Sequence, residues 1–278
     1  MESKSRRDIG TIVRMFREKV AHIYRRLAIA NSEPDGELIR KFRRARSEDI
    51  DEQERFETAE LLAAAVYPKY KFSEFGRTFL EDQCFLKYYQ NFMDPGNWHS
   101  LDRKYVLNEL LKQALLVEGD AAEAGVYKGA SSYLICKAIA GLGRQHHLFD
   151  SFEGLSVPDF HDGDYWTKGA LSASEEDVRR SLSEFSNYTI YKGWIPECFT
   201  DVANCKFSFV HIDVDLYGPT KQSLEFFYPR LTQGAIVLLD DVGFKTCPGA
   251  TKAANEVFGS CPEPLMFLPT GQGFAIKC

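Results

Sequence analysis

The sequence predicts an α/β protein in which a doubly wound, mostly parallel sheet follows a helical N-terminal extension. Three observations lead to this fold class. From residue 5 to about residue 116, apolar residues recur at helical spacing. From residue 119 onward, seven short apolar runs alternate with helical segments, as in βαβ units with right-handed crossovers. Only PTGQG separates the last two runs, so they should form a hairpin whose last strand is antiparallel to its neighbour.

The N-terminal region contains several helical patterns separated by turn residues. TIVRMFREKVAHIYRRLAIA over residues 11–30 is the first predicted helix, and the turn residues of Asn31 to Gly36 should end it. ERFETAELLAAAVY and LDRKYVLNELLKQALLV are two further helices, and DPGNWHS between them is a loop. We therefore expect a helical extension over residues 1–100 and the α/β domain over residues 101–278.

The first predicted helix has an apolar face that needs a packing partner. The face is formed by Ile12, Phe16, Val20, Ile23 and Leu27. A second subunit could cover it, which would make the extension an oligomer interface, and an intramolecular core is the alternative. A substrate lid is a third role that the pattern leaves open.

The α/β region has a regular order of strands and helices. The predicted strands are DAAEAGV, HHLFDSF, YTIYKGW, FSFVHIDVD, AIVLLDD, PLMFLP and GFAIKC. The predicted helices between them are SSYLICKAIAGL, SEEDVRRSLSEF, GPTKQSLEFFYPRL and ATKAANEVFGS. In an open sheet of this kind, ligands bind beyond the carboxyl ends of the strands, so functional residues are expected there.

Composition excludes several classes of protein. The chain has 278 residues with a net charge of −6 and a pI near 5.6, which argues against nucleic-acid binding. No apolar run approaches the roughly 20 residues that span a bilayer, and MESKSRRDIG lacks the apolar core of a signal peptide. The seven cysteines include no C-x-x-C pair and are interpreted as scattered reduced thiols. We therefore expect a cytoplasmic protein with no membrane partner.

A glycine turn and an acid follow the first two predicted strands. Gly125 and Gly129 in EAGVYKGASS allow a tight strand-to-helix turn and close approach of a ligand to the backbone. Asp150 ends the second strand 150 − 125 = 25 residues later, near the interval of about 20 at which an acid binds ribose hydroxyls. Together they favour a nucleoside-containing cofactor. A purely structural turn, with Asp150 capping it, is the alternative.

Two acidic pairs follow the fourth and fifth predicted strands. Asp213 and Asp215 are two residues apart and so lie on one face of an extended chain, and Asp240 and Asp241 end the next strand. If those strands are neighbours, the carboxylates converge and repel unless some are protonated or a cation binds. Oxygen ligands alone select a hard ion such as Mg²⁺, with Ca²⁺ or Mn²⁺ possible. Helix capping after each strand is the alternative.

These motifs, taken in order, resemble the macrocin O-methyltransferase family of sugar O-methyltransferases from macrolide and aminocoumarin antibiotic pathways. The motifs that carry the resemblance are GDAAEAGVYKGASS, DSFEGL, KGW, HIDVDLY, YPRLTQGA and LDD. Their order and spacing match from about Asp120 to the C-terminus. The resemblance implies a class I fold dependent on S-adenosylmethionine, with seven strands and the antiparallel hairpin at the end.

The resemblance also implies roles for individual residues. A divalent metal, usually Mg²⁺, would be held by Asp213, Asp240 and Asp241, and Asp215 would be the general base. The cofactor contacts would map onto Glu123, Gly125, Tyr127, Ser131, Ser132, Asp150, Ser151, Phe152, Trp194 and Asp213. The chain departs from the family at Ala124, Tyr127 and Val214, where the family often has Cys, Trp and Gly. Val214 adds bulk between the two key acids, so it could narrow or redirect the acceptor site.

The expected function is a metal-dependent O-methyltransferase that uses S-adenosylmethionine. Its acceptor would be a hydroxyl of a sugar or of a sugar-containing small molecule, either a natural product or a glycan. Two other functions stay open: a nicotinamide-dependent oxidoreductase on a Rossmann sheet, and a catalytically silent cofactor-binding scaffold. The single G-x-x-x-G and the acidic pairs argue against the oxidoreductase.

Overall fold

A computed structural model of the chain describes residues 33–67, 76–93 and 100–278. The described residues belong to two compact units, one ending at Tyr88 and the other beginning at Tyr89. The helix predicted over residues 11–30 and most of the DPGNWHS loop lie outside the described residues, so these two predictions stay untested. The same holds for the predicted boundary between an extension and an α/β domain at residue 100.

The first unit is helical in the part that the structure describes. Its elements are α1 (Glu33–Arg44), α2 (Glu52–Val66), a 3-10 turn (Thr78–Glu81) and the start of α3 (Gln83–Phe92). The Asp51 side chain caps α2 by accepting a hydrogen bond from the Glu54 amide, and Glu54 pairs with Arg44 at 2.6 Å. Basic residues of α1 and acidic residues of α2 therefore form an ion pair at the surface of this unit.

The turn predicted up to Gly36 is wrong, because α1 already begins at Glu33. Pro34 lies in the first turn of this helix, where a backbone N–H would have no intrahelical partner. The lack of that N–H therefore costs the helix nothing at this position.

The second unit is a seven-stranded sheet with helices around it. After α4 (Leu101–Ala114) come β1 (Asp120–Ala124), α5 (Ala130–Ile139), β2 (His146–Asp150), α6 (Glu175–Ser181), β3 (Tyr188–Lys192), β4 (Phe207–Ile212), α7 (Tyr217–Phe227), β5 (Leu231–Leu239), α8 (Pro248–Phe258), β6 (Met266–Phe267) and β7 (Gly273–Ile276). The strand order is β3-β2-β1-β4-β5-β7-β6, and only β7 is antiparallel to its neighbours. The predicted α/β class, its seven strands and its final hairpin are confirmed. No helix in the described part of the chain is long and apolar enough to cross a membrane.

The topology of the sheet fixes where a ligand can bind. From β1 the chain proceeds outward to β2 and β3, then returns to place β4 on the other side of β1. The switch point therefore lies between β1 and β4, where such sheets bind ligands beyond their carboxyl ends. Ile212 pairs with Leu239 in the β4–β5 register, and the amide of Asp240 donates to the Ile212 carbonyl at 2.9 Å. The acidic residues that follow these two strands are thus neighbours in space.

A cluster of buried aromatic rings forms the core on one side of the sheet. Phe149 of β2 and Phe207 of β4 both pack against Phe227 of α7, with ring centroids 5.8 and 5.3 Å apart. Phe199 fills the space between them, 4.9 Å from Phe149 and 4.8 Å from Phe227. All four side chains are at most 1% exposed. The cluster holds α7 against the strands that end in the acidic residues.

Replacing Phe227 by alanine should destabilise the second unit by about 3–5 kcal/mol, because it opens a cavity among three other rings. Denaturant unfolding followed by tryptophan fluorescence measures this change. Phe160→Ala is the matched control, since the Phe160 side chain is 88% exposed and its truncation should change stability by less than about 0.5 kcal/mol. Equal stabilities for the two variants would contradict this account of the core.

Candidate active site

The turn after β1 brings the chain against the end of β4. Gly125 has a φ of +83°, and a Cβ at this position would lie 1.8 Å from the carbonyl oxygen of Asp213. Only glycine fits there, so the spacing read from the sequence has a steric cause. Gly129, with a φ of +84°, then starts α5 without a capping side chain. The predicted strand-to-helix turn is confirmed.

Asp150 holds this turn in place through backbone amides. Its Oδ2 accepts hydrogen bonds from the amides of Val126 at 2.8 Å and Tyr127 at 3.1 Å, and its Oδ1 accepts one from Phe152 at 2.7 Å. Tyr127 and Phe152 have positive φ values of 49° and 57°, which these bonds help to maintain. Asp150 therefore does cap turns, as the alternative interpretation of the sequence held. Its contact with a ribose stays a prediction.

A cavity of about 610 Å³ opens beyond the carboxyl ends of the central strands. Its volume is in the range of small-molecule sites in proteins. The predicted site residues that line it are Glu123, Gly125, Tyr127, Ser131, Asp150, Ser151, Trp194, Asp213, Asp215, Asp240 and Asp241. The structure thus brings residues from the ends of five strands, β1 to β5, and from the following loops to one cavity.

Ser132 and Phe152 were expected to contact the cofactor, but neither lines the cavity. Ser132 is completely buried and donates a short hydrogen bond to Glu123. The Phe152 ring packs against an apolar cluster that includes Val126 and Leu148. The geometry therefore gives both residues an indirect role, as supports of the residues that do line the cavity.

Glu123 is a buried acid whose two carboxylate oxygens each face a histidine. Its Oε1 lies 3.0 Å from Nδ1 of His211, and its Oε2 lies 3.3 Å from Nε2 of His146. Burial would raise the pKa of Glu123, but the hydrogen bonds from these histidines lower it to about 2. Nδ1 of His146 is buried and has no hydrogen-bond partner in the described part of the chain. Glu123 is therefore ionised and held rigidly at the base of the cavity.

The four aspartates predicted to converge do so, but they form two groups. Carboxylate oxygens of Asp213 and Asp240 lie within 4.8 Å of each other and of a ring nitrogen of His211. Carboxylate oxygens of Asp215 and Asp241 lie within 4.8 Å of each other and of the Cys247 sulfur. The backbone amide of Asp215 donates to Oδ2 of Asp241 at 3.0 Å.

Asp240 already has strong partners within the protein. Its Oδ2 accepts a hydrogen bond from the Arg103 guanidinium at 2.5 Å, and its Oδ1 accepts one from the Gln272 amide at 2.6 Å. Burial would raise the pKa of Asp240, but Lys104, Arg103 and His211 lower it well below its ordinary value. This aspartate is therefore ionised, and a metal bound to its Oδ2 would have to share it with Arg103 or displace Arg103.

Among the residues that the structure describes, no basic side chain forms a hydrogen bond or an ion pair with the other three aspartates. Burial and the charge of Asp240 raise the pKa of Asp213. Burial and the charge of Asp213 raise the pKa of Asp215 to about 7. Burial, followed by the charges of Asp215, Asp213 and Asp240, raises the pKa of Asp241 well above its ordinary value. This end of the sheet therefore has an excess of negative charge.

Helix capping does not explain these acids. The residues before α7 and α8 are Leu216 and Cys247, whose own side chains make no capping hydrogen bond, and the first amide of α7, that of Tyr217, donates to Oδ1 of Asp162 at 2.7 Å. Asp215 also has a φ of 58°, which is unusual for a residue other than glycine. Such strain concentrates at functional sites.

Sequence reasoning missed the cavity residues Arg103, Lys104 and Cys247 and their neighbours His211 and Gln272. One signal was available, because Lys104 lies three and seven residues before the buried Leu107 and Leu111 of α4. A lysine on the buried stripe of a helix needs a polar partner, and Lys104 donates to Ser131 at 2.6 Å. The contacts of Gln272 come from the final hairpin loop, and no periodicity in the sequence points to them.

A family model described as macrocin O-methyltransferase (TylF) matches residues 102–260. The matched segment covers more than half of the chain and includes the glycine turn, Asp150 and both acidic pairs. The chain belongs to the macrocin O-methyltransferase family. The expected family is therefore confirmed. The active-site residues described in this section lie inside the matched region, with the exception of Gln272.

Two curated relatives are O-methyltransferases of Streptomyces species. The 8-demethyl-8-(2,3-dimethoxy-alpha-L-rhamnosyl)-tetracenomycin-C 4'-O-methyltransferase of Streptomyces olivaceus is 28% identical over 157 residues, covering 51% of this chain and 60% of the relative. Demethyldecarbamoylnovobiocin O-methyltransferase of Streptomyces niveus is 28% identical over 163 residues, covering 50% of this chain and 58% of the relative. This chain therefore matches less than two thirds of the length of either relative.

Solved structures support the fold. The structure of the O-methyltransferase NovP has a TM-score of 0.53 at 23% identity, covering 65% of this chain and 83% of that one. CalS11, the calicheamicin methyltransferase, has a TM-score of 0.57 at 21% identity, covering 84% of this chain and 95% of that one. Together with the strand order, these similarities confirm the class I methyltransferase fold that the family resemblance implies.

The buried His211 should make the free energy of unfolding decrease as the pH rises above neutrality. Burial lowers its pKa, but hydrogen bonds to Asp240 and Glu123 raise it from 6.5 to about 9. Because the folded state binds this proton more tightly than the unfolded state, protonated His211 stabilises the folded state by roughly 1–3 kcal/mol below pH 6.5. This contribution is lost as the pH rises from 6.5 to about 9. Denaturant unfolding of chelator-treated protein across this range measures the loss.

The variant His211→Asn should lose this slope between pH 6.5 and 9. His161→Asn is the control, because the His161 ring contacts the rings of Phe160 and Tyr217 rather than a carboxylate. It should keep the slope of the wild-type protein. A flat profile in the wild-type protein would contradict a buried imidazolium between the two acids.

Proposed function

We propose that the protein transfers the methyl group of S-adenosylmethionine to a hydroxyl of a sugar-containing small molecule, with a divalent cation bound beside the acceptor. The observation that carries the proposal is the gathering of four aspartates at the switch point, on the wall of the same cavity as the glycine turn. Membership of the macrocin O-methyltransferase family supports this chemistry over nicotinamide-dependent oxidation.

The cofactor side of the cavity fits an adenosyl ligand. Gly125 lets the turn pack directly against the end of β4, where a Cβ would collide with the Asp213 carbonyl, and the turn residues Gly125, Val126 and Tyr127 line the cavity. Asp150 and Ser151 line the cavity after β2, and Trp194 presents a ring that is 36% exposed. When bound, S-adenosylmethionine supplies an electrophilic methyl group on sulfur. The residues of the turn would bind and orient it, while Glu123 fixes the floor below.

The acidic side of the cavity fits a hard cation by charge. Asp213 has no hydrogen-bond or ion-pair partner for its carboxylate in the part of the chain that the structure describes, and it lines the cavity. Asp213 and Asp241 both have raised pKa values, so a cation beside them would relieve their repulsion. They would hold it together with Asp240, whose Oδ2 is shared with Arg103. When bound, such a cation orients an acceptor hydroxyl and lowers its pKa.

Asp215 is the residue best suited to remove the proton of the acceptor. Its pKa of about 7 suits a base that exchanges protons near neutral pH. Its Oδ1 accepts a hydrogen bond from the Cys247 thiol at 3.4 Å, which holds the carboxylate in one orientation. The carboxylate can take the hydroxyl proton while the oxygen attacks the methyl group in line with sulfur.

The acceptor side of the cavity favours an uncharged sugar with an apolar attachment. Tyr165, Trp166 and Phe244 line it and offer ring faces on which a sugar can stack. Val214 also lines it and is 8% exposed, so its side chain adds bulk between Asp213 and Asp215. The names of the two curated relatives specify O-methylation of a rhamnosyl-tetracenomycin and of demethyldecarbamoylnovobiocin, which supports this acceptor class.

A role for residues 1–100 as a lid or as an interface between two copies of the chain belongs to the proposal as well. Its support is the apolar face that the sequence predicts for the helix over residues 11–30. Size-exclusion chromatography with light scattering on the full chain decides between a monomer and a homo-oligomer.

Replacing Asp215 by asparagine should reduce kcat by at least about 100-fold, because the base is lost. Binding of S-adenosylhomocysteine, measured by calorimetry, should change less than about threefold, since Asp215 lies on the acceptor side. Asp201→Asn is the control, an exposed aspartate in the 3-10 helix Glu197–Val202 that precedes β4, and it should keep both properties. An active Asp215→Asn enzyme would remove this residue from the role of base. Calorimetry with NAD, run in parallel, should show no binding.

Removing divalent cations should stop methyl transfer. After treatment with EDTA and desalting, we expect activity to fall at least about tenfold and to return with Mg²⁺, because the metal orients the acceptor. Asp213→Asn should raise the Mg²⁺ concentration needed for half-maximal activity. Full activity in EDTA would show that Arg103 and Lys104 alone balance the acids and that methyl transfer needs no metal.

A further inference from the structure

The loop between β2 and α6, residues 151–174, forms part of the cavity wall. It contains no helix or strand, and its residues Tyr165 and Trp166 offer the ring faces proposed above to receive the acceptor. The loop is closed near its two ends, because the amide of Leu155 donates to the carbonyl of Ala170 at 2.8 Å. A long loop of this kind inside a compact domain is usually functional. Its position depends on individual contacts, since it has no regular secondary structure.

Asp162 connects this loop to the segment that contains Asp215. Asp162 is 2% exposed, and its Oδ2 accepts a hydrogen bond from the amide of Asp159 in the same loop at 2.8 Å. Its Oδ1 accepts one from the amide of Tyr217 at 2.7 Å. Tyr217 is the first residue of α7 and lies two residues after Asp215. A single side chain therefore joins the cavity wall to the start of α7.

Gly249 of α8 leaves room for this side chain. A Cβ at Gly249 would lie 1.9 Å from Oδ1 of Asp162 and 2.9 Å from the amide nitrogen of Tyr217. Gly249 lies within a helix, whose backbone conformation other residues adopt readily, so close packing rather than backbone geometry requires glycine here. The loop, α7 and α8 therefore meet tightly at Asp162.

The backbone around Asp215 is held on both sides. Before it, the amide of Asp213 donates to the carbonyl of Ala124 at 2.9 Å, and after it, the amide of Tyr217 donates to Asp162. Asp215 has a φ of 58°, and a residue in this conformation persists only when its surroundings hold it there. The contact on the α7 side comes from a side chain that also lines the cavity.

We propose that Asp162 is a positioning residue, which couples the wall that receives the acceptor to the orientation of Asp215. The proposal rests on the proposed function, because it takes Asp215 as the base. Through the Tyr217 amide, Asp162 fixes the turn that contains the base, and through the Asp159 amide it fixes the loop beside the acceptor. Asp162 exchanges no proton in this role. Its contribution is alignment, and a misplacement of about 1 Å can cost roughly 100-fold in rate.

Hydrogen exchange tests the contact without any acceptor. In Asp162→Ala we expect the amide of Tyr217 to exchange at least about tenfold faster, because its buried hydrogen bond is lost. Mass spectrometry of peptides that cover residues 213–220 of the full chain measures the rate. Ser174→Ala is the matched control, since the Ser174 hydroxyl caps α6 by accepting the amide of Asp177 at 3.0 Å, and it should leave this segment unchanged. Unchanged exchange in Asp162→Ala overturns the proposal.

Kinetics distinguish positioning from a simple loss of folded protein. Calorimetric titration with S-adenosylhomocysteine counts the folded sites, so that kcat can be expressed per site. For Asp162→Ala we expect kcat per site to fall at least about tenfold and the acceptor KM to rise at least about threefold, while the affinity for S-adenosylhomocysteine changes less than about threefold. Asp162→Asn keeps one carbonyl oxygen and should recover part of the lost kcat. A wild-type kcat per site in Asp162→Ala overturns the proposal.

Gly249→Ala disturbs the same contact from α8 and serves if Asp162→Ala does not fold. The added methyl group should displace the Asp162 side chain, accelerate exchange of the Tyr217 amide and lower kcat per site at least about fivefold. Wild-type exchange and wild-type kcat in this variant overturn the proposal as well. Failure of the proposed function gives a different result, because Asp215→Asn would then stay active while Asp162→Ala still exchanges faster.

Discussion

The register between β4 and β5 is the constraint from which the site follows. Ile212 pairs with Leu239, so the two strands end together and deliver Asp213 and Asp240 to the same place. Two carboxylates within 4.8 Å repel by roughly 3–4 kcal/mol at the effective dielectric constant of a protein. Four of them at one sheet edge can persist only with protons, internal cations or a bound ion. The fold therefore places an uncompensated negative charge at the point where its topology also favours ligand binding.

Side chains of the protein neutralise part of this negative charge. Arg103 and Gln272 neutralise and saturate Asp240, and the imidazole of His211 joins Asp240 to Glu123 below the cavity. Asp213, Asp215 and Asp241 have no ion pair with a basic side chain in the described part of the chain. Asp240 thus differs from the other three acids in being neutralised within the protein. This difference explains why one carboxylate is well below its usual pKa while its neighbours are above theirs.

The sequence predicted those features that depend on residues close together in the chain. Alternating apolar runs predicted the strands, and Gly125 predicted the turn that only glycine can make. Paired acids after consecutive strands predicted the acidic end of the cavity. Contacts between distant segments were beyond such rules: Arg103 meets Asp240 across 137 positions, and Cys247 reaches Asp215 through the packing of α8. Ser132 and Phe152 were expected at the cofactor because their motif is local, but their side chains turn into the core.

A crystal structure of the protein with S-adenosylhomocysteine and Mn²⁺, with anomalous data for manganese, tests the central claim most directly. The account predicts an anomalous peak within coordination distance of Asp213 and Asp241, with the sulfur of the cofactor product in the same cavity and Asp215 facing the space between them. A cavity that binds the cofactor product but shows no manganese peak, with the aspartates paired to protein groups alone, would contradict it.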